Sequence, residues 1–383
     1  MSKIDKMNQI AQIDRTMGPS AWVNRLVYKT CSSSTSHSGH KLDIIKSGLQ
    51  KYLRRRELDK MLWCLGEIYL FKIYEQSAAA GYESRAARGI ITNVLNRFIV
   101  MLDEELLFME WDKYLIVRNL IEKFEKSDRS DFISLVQICK ILCSARLLRR
   151  NSDINGYFRY GSVRPPPLEE RKKEELDVWN FRNFKAYFML KNKKKARDCF
   201  YWMYKILAAK RERPTPYSIK RLRRRENIYM IWDFLMQQAF GNHLLTRCLE
   251  YRLKDFSNKS KSKSRGLFLT AAIDLCIEKD HIEWNPELLK QLPAADTSDM
   301  ERIFKDRKRL IFDDYVIDMH CTLGRKLGKN AINFVESGAV VVNEDSEFLV
   351  EEWRNAYNTG KLESFAAKVA SKERKAKKGG SAP

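Results

Sequence analysis

The sequence predicts an all-α protein, a multi-helix bundle or α-solenoid of two helical lobes with no substantial sheet, and three observations carry that expectation. Chain breakers are few, 16 Gly and 9 Pro in 383 residues, which favours uninterrupted helices. Apolar residues recur at three-to-four spacing, as in Leu58, Met61, Leu62, Leu65, Ile68, Tyr69 and Phe71, and again in Val94, Leu95, Phe98, Ile99 and Leu102, so each run paints one helix face. The single strand-like run, Ala339-Val340-Val341-Val342, is too short and too isolated to build a sheet. With 44% hydrophobic and 11% aromatic residues the chain has enough apolar surface to offset its ordering entropy without disulfides or metal.

Residues 1–40 have a polar, mixed-charge start that is not a signal peptide and end in the Ser-rich stretch Cys31–His40, expected to be a flexible arm. Residues 41–150 read as a first helical lobe with helices near 42–56, 57–76, 86–108, 112–126 and 131–149. The segment 151–167 contains Asn-Gly, Tyr-Gly and Pro165-Pro166-Pro167 and is expected to be a hinge loop. A strongly basic lobe, 168–256, follows with helices near 168–190, 193–212, 217–240 and 242–256, broken at Arg213-Pro-Thr-Pro216. The Ser/Lys stretch 257–265 reads as a linker. In the C-terminal helical region, 266–360, the stretch 266–301 holds eight acids against two lysines, and Ser298 with Glu301 reads as a capping box. Residues 361–383 read as a helix fading into a basic disordered tail.

A formal charge of +22 repels itself in a compact state and points to a polyanionic partner. Nucleic acid fits, because cations that neutralise phosphates release condensed counterions. A membrane partner is not expected: no apolar run approaches the roughly 20 residues needed to span, and no lipidation box is present. The eight Cys, with no Cys-x-x-Cys pair, read as reduced buried thiols of an intracellular protein. Cys139 and Cys143, one turn apart, do not have zinc-knuckle spacing.

Charge is concentrated between Lys185 and Arg225, where fifteen Lys or Arg meet two acids, a surplus of +13. The aromatics interleaved there, Tyr187, Phe188, Phe200, Tyr201, Trp202 and Tyr204, have helical core spacing and read as core before base-stacking platforms. The cations remain as the phosphate footprint. The candidate nucleic-acid contacts are Lys193, Lys194, Lys195, Arg197, Lys220, Arg221, Arg223, Arg224 and Arg225, together with Arg54, Arg55, Arg56, Lys261 and Lys263. Leu53-Arg-Arg-Arg-Glu57 with Met61 and Trp63 recurs as Leu222-Arg-Arg-Arg-Glu226 with Met230 and Trp232; an internal repeat and a coincidence of composition both account for it. The tail cations Lys372, Lys375 and Lys377 are expected to matter less, since a disordered tail must be ordered on binding.

Catalytic readings fare worse. Gly324-Arg-Lys-Leu-Gly328-Lys329-Asn330 resembles a phosphate loop but is one residue short and ends in Asn where a Mg-binding hydroxyl is needed. Asp313, Asp314, Asp318 and His320 have the chemistry for a Mg²⁺ site, yet Asp314 and Asp318 at i,i+4 read better as acids on one helix face. No triad suggests itself, and the chain is expected to be no enzyme and to use no cofactor.

Residues Leu49-Gln-Lys-Tyr-Leu-Arg-Arg-Arg-Glu-Leu-Asp59 with Trp63, then Asn96-Arg-Phe-Ile-Val-Met-Leu-Asp-Glu-Glu105, resemble the helical C-terminal region of replication-associated AAA+ ATPases of the MgsA or Werner-helicase-interacting kind. The resemblance covers about sixty residues and implies that 41–150 is a clamp-loader-collar-like, DNA-associated module with homo-oligomerisation and replication proteins among its partners; no Walker motif accompanies it, so ATPase activity is not implied. The whole chain, including Tyr315-Val-Ile-Asp-Met-His320, also resembles uncharacterised proteins of large nucleocytoplasmic DNA viruses. That resemblance implies a virus-encoded protein acting on DNA in the host cytoplasm or nucleus, or packaged in the virion.

Two functions follow as expectations: a non-catalytic nucleic-acid-binding accessory factor of replication or repair, DNA ahead of RNA, and a structural or scaffold protein of a virus particle that binds acidic partner proteins.

Overall fold

The computed structural model describes residues 35–77, 85–160, 176–190, 196–208, 227–282, 292–305 and 309–379. Among them there is no strand, only an isolated bridge between Thr35 and Lys41, and the architecture is all-α. The helices are α1 Leu42–Arg54, α2 Leu58–Ser77, α3 Arg85–Glu104, α4 Trp111–Lys126, α5 Phe132–Ser144, α6 Arg150–Tyr160, α7 Leu176–Met189, α8 Ala196–Ala208, α9 Tyr229–Gln238, α10 His243–Phe256, α11 Arg265–Ile277, α12 Thr297–Lys305, α13 Thr322–Lys326, α14 Ala331–Asn333 and α15 Glu351–Gly379. No helix of the described residues is long and apolar enough to cross a membrane.

The chain forms two compact units, each discontinuous. Unit 1 is Met1–Leu102, Ile116–Leu147 and Glu287–Glu344; unit 2 is Asp103–Leu115, Leu148–Pro286 and Asp345–Pro383. Two consecutive lobes, 41–150 and 168–256, are therefore not what forms, because part of the C-terminal third packs into the N-terminal unit.

In unit 1, α1 packs on α2, and α5 lies against both. Leu49, Tyr52, Leu53, Met61, Phe71 and Ile138 have no exposed surface. Tyr69 stacks on Phe132 at 4.3 Å, and its hydroxyl donates to the carbonyls of Arg129 and Ser130, so the ring's polar tip is satisfied where its body is buried. α1 ends as a six-to-one turn: Glu57 N–H donates to Tyr52 O and Arg56 N–H to Leu53 O, both at 2.9 Å, with Arg56 left-handed at φ 57°. A non-glycine there costs roughly 1 kcal/mol, and the Arg56 guanidinium offsets it by donating to Cys143 O at 2.9 Å.

The cap of α12 lies two residues before the expected Ser298. The cap is Asp296, whose carboxylate accepts from Ser298 N–H at 2.8 Å and Asp299 N–H at 3.2 Å. An Asp with free lone pairs at the N-terminal turn displaces the Ser, because it meets two orphan donors and the positive helix end together.

In unit 2, α7 packs on α8, α10 on α11, α11 on α6, and α15 on α6. The expected hinge at 151–167 is helix through Tyr160, with 161–167 outside the described residues. The Asn-Gly pair read as a turn signal has a tertiary role: Gly156 is where Tyr357 crosses, and a Cβ would overlap its ring. Upstream, Asn151 Nδ2 donates to Asp103 O at 2.8 Å. The expected linker at 257–265 is also ordered, as the 3-10 turn Lys259–Ser264 capped by the Asn258 side chain. The tail expected to be disordered continues as helix α15 to Gly379, because Lys361 to Lys378 contains no Gly or Pro and is rich in strong helix formers.

Gly156→Ala should destabilise unit 2 by about 1–3 kcal/mol through overpacking, whereas Gly89→Ala, with nothing within 4 Å of its added Cβ, should stabilise α3 by about 0.5–1 kcal/mol. Urea denaturation of both variants checks this; equal midpoints would contradict the packing described for Gly156.

Candidate nucleic-acid interface

The basic stretch is carried by α7 and α8 and by segments that lie outside the described residues. Lys193, Lys194 and Lys195 fall in 191–195, and Lys220, Arg221, Arg223, Arg224 and Arg225 fall in 209–226, neither of which is described; Arg197 lies on α8 by its backbone. The second copy of the Arg-Arg-Arg motif is outside for the same reason, although its Trp232 is fully buried in α9.

The two helices between these segments show how the stretch divides its labour. Trp179, Phe181, Phe184, Phe188, Phe200 and Trp202 are all buried. Trp179 meets Trp202 edge-on at 4.9 Å, and Phe188 meets Phe234 at 5.1 Å. Tyr204 is half-buried and its hydroxyl hydrogen-bonds Asn155. The buried aromatics thus pack α7 and α8 against each other and against α9 and α15. Of the cations on the same helices, Lys205 is exposed, its Nζ 5.2 Å from the Tyr201 ring, and half-buried Lys185 lies 5.1 Å from the Phe181 ring. Laying an alkyl stem over an aromatic ring while the ammonium stays wet is the ordinary behaviour of long cations.

The other five candidates separate sharply. Arg54 is 2% exposed and donates to Gly338 O at 2.6 Å. Arg55 donates to Ser337 O at 2.8 Å and covers the Tyr315 ring at 4.8 Å. Together with Arg56 and the bond from Val342 N–H to Arg54 O, the triplet clamps the loop 337–342 to the end of α1. Lys261 is 8% exposed and paired with Asp255 at 2.7 Å. Arg54 and Lys261 are buried on internal acceptors and are corrected to structural roles, while Arg55 and Arg56 are half-buried and also tied to loop and helix carbonyls. Lys263 is exposed. A run of like charge carries no mark of which members find internal acceptors; only the pairing of loop 337–342 with α1 decides it.

The segment with three carboxylates is not a helix face. Asp314–Val316 is a 3-10 turn, and each acid is taken by a lysine: Asp313 by Lys60 at 2.8 Å, Asp314 by Lys329, and Asp318 by Lys51 at 2.5 Å. Among the described residues no group of three or more His, Cys, Asp or Glu is arranged to hold a metal ion. Burial pushes the Asp318 carboxyl upward, but the hydrogen bond from His320 and the charge and hydrogen bond of Lys51 outweigh it and hold the group well below the usual carboxylate range. The phosphate-loop-like run is a helix end. Gly328, at φ 75°, closes α13 with Gly328 N–H to Arg325 O and Lys329 N–H to Gly324 O, the left-handed stop that favours glycine. Gly324 is there because its Cβ would strike Asp318 O. Cys139 and Cys143 are buried free thiols; burial pushes Cys143 up to about 12 and Cys139 well above the ordinary value, away from the thiolate a zinc ion needs.

No protein-family model, no curated protein and no solved structure matches the chain.

Two outcomes follow. Arg54→Ala should lower stability by about 2–3 kcal/mol, since it strips a buried carbonyl of a charged donor, with the DNA salt dependence of any folded fraction unchanged. Because the folded Asp318 carboxyl is depressed, its contribution to stability is fully present above the unfolded value, about pH 4, and is lost as pH falls through the folded one. Asp318→Asn should therefore be less stable at pH 7 and show a flatter acid limb below about pH 4 in chemical denaturation; a limb as steep as the wild type's would refute the assignment.

Proposed function

We propose that the chain is a non-catalytic nucleic-acid-binding protein, DNA ahead of RNA, that grips phosphates through Lys and Arg and serves as an accessory factor in DNA replication or repair. The observation that supports this reading most is the +13 surplus that the sequence gathers between residues 185 and 225, beside the aromatics of α7 and α8, most of which are buried. Several described cations that lie deep in the fold elsewhere, Lys51, Arg149, Arg150, Arg252 and Lys261, have a carboxylate partner, and Arg54 donates to a buried carbonyl. More than half of the net surplus, +13 of +22, is gathered on that one stretch. A partner with regularly spaced anions is what such a stretch fits. The resemblance to proteins of large DNA viruses and to collar-like modules supports the replication setting of this proposal.

Binding should need neither nucleotide nor metal and should weaken as a power of salt. Gel-shift series at several salt concentrations, on single-stranded and duplex DNA, read the slope directly. Changing Arg223, Arg224 and Arg225 together to Ala should flatten the slope on duplex by roughly 2–3, at about 0.9 per phosphate lost, uniformly across sequences. Absence of DNA binding at physiological salt, with retention of acidic protein partners, would replace this reading with the scaffold one.

A further inference from the structure

α15 is 29 residues long, about 44 Å at 1.5 Å per residue, and its two halves have different surroundings. The first half is anchored in unit 2: Trp353 is 2% and Tyr357 6% exposed, Trp353 meets Phe200 at 5.8 Å and the Arg150 guanidinium at 4.8 Å, and Arg354 pairs with Asp153. All six residues from Ala366 to Ser371 are exposed, as is Arg374. Six consecutive residues cover more than a full turn, so every side of the helix there meets solvent, whereas an ordinary surface helix keeps one buried stripe.

The free half is nevertheless built to stay helical. Its nucleus is already paid for by the anchored half, Ala366, Ala367, Ala370 and Ala376 with Lys, Arg and Glu are strong helix formers, and cations in the last turns suit the negative end of the helix. Over residues 366–379 there are six cations, Lys368, Lys372, Arg374, Lys375, Lys377 and Lys378, against one acid, Glu373.

We propose that the distal half of α15 is a preformed recognition helix that lies in the major groove of duplex DNA. This rests on the nucleic-acid reading above and names the element that enters the duplex. A helix with its side chains is about 10–12 Å across, and the groove is about 12 Å wide. The small residues at 366, 367, 370, 371 and 376 keep this one slim, and its length of about 21 Å places its cations along the phosphates that rim the groove. Two other polyanions fit less well. An interfacial lipid helix needs a broad face of Trp, Phe or Leu, and beyond Phe365 the only large apolar residue is Val369. Single strands are held by stacked aromatics, of which residues 366–383 have none.

The test uses the full chain and three probes: a duplex, the matching single strand, and vesicles of anionic phospholipid. Replacing Lys368, Lys372, Arg374 and Lys375 together by Gln should lower the duplex salt slope by about 3–4. Ala370→Pro keeps every charge but breaks the free helix; it should weaken duplex binding at least tenfold, and circular dichroism should show the rest of the fold intact. Wild-type protein should also protect guanine N7 in the major groove from methylation. If Ala370→Pro and the Gln variant bind duplex as the wild type does, the recognition helix is overturned while the nucleic-acid reading stands. If the wild type binds neither duplex nor single strand, the broader reading falls with it. Preference for vesicles over duplex, lost in the Gln variant, would overturn the groove and assign the helix to a lipid surface.

Discussion

Arg150 is the interaction on which unit 2 depends. Its guanidinium makes a two-point bond to Asp274 on α11, at 2.9 and 3.0 Å, donates to Phe348 O at 2.9 Å, and lies over the Trp353 ring at the root of α15. One planar group with five donors thus ties α6 to α11 and to the start of α15, a combination that a lysine's point charge cannot reproduce. Removing one partner of such a buried pair typically costs about 3–5 kcal/mol, because the other charge is left without compensation. The aim of α15, and so the direction in which its free half projects from unit 2, is set here.

The same economy runs through the rest of the molecule. Arg252, 1% exposed, is held by Asp103 at 2.7 Å and lies 3.9 Å over the Tyr114 ring. Lys51 meets Asp318 beneath loop 316–321, and Arg54 to Arg56 hold loop 337–342 by its carbonyls. A chain with 71 Lys and Arg against 49 acids thus uses part of its cations as internal ties. The net surplus is densest in sequence between 185 and 225 and at the end of α15.

The division between tie and footprint was only half legible beforehand. Helix positions followed from periodicity: α1 and α2 begin and end within two residues of the expected bounds, since an amphipathic pattern is a local property. The assignment of the interleaved aromatics to core was legible too, from their three-to-four spacing. Arg54 was not, for the three consecutive arginines look the same in sequence whether they face phosphate or the Gly338 carbonyl, and that carbonyl is 284 positions away. Asn155-Gly156 misled in the same manner: it is a turn dipeptide by composition, but Tyr357 crossing Gly156 makes it a packing site within a helix.

By itself the sequence determined the class of fold, the positions of several helices, the buried state of the seven described cysteines and the surplus of positive charge, because each depends on composition or on neighbours within a turn or two. Tertiary structure alone decided that residues 287–344 complete the N-terminal unit, which arginines are consumed as ties, and that the last helix runs on to Gly379 with residues 366–371 and Arg374 exposed. Those outcomes depend on which distant carbonyl, carboxylate or ring arrives beside a side chain, and long-range pairing leaves no periodic trace in the residues that take part.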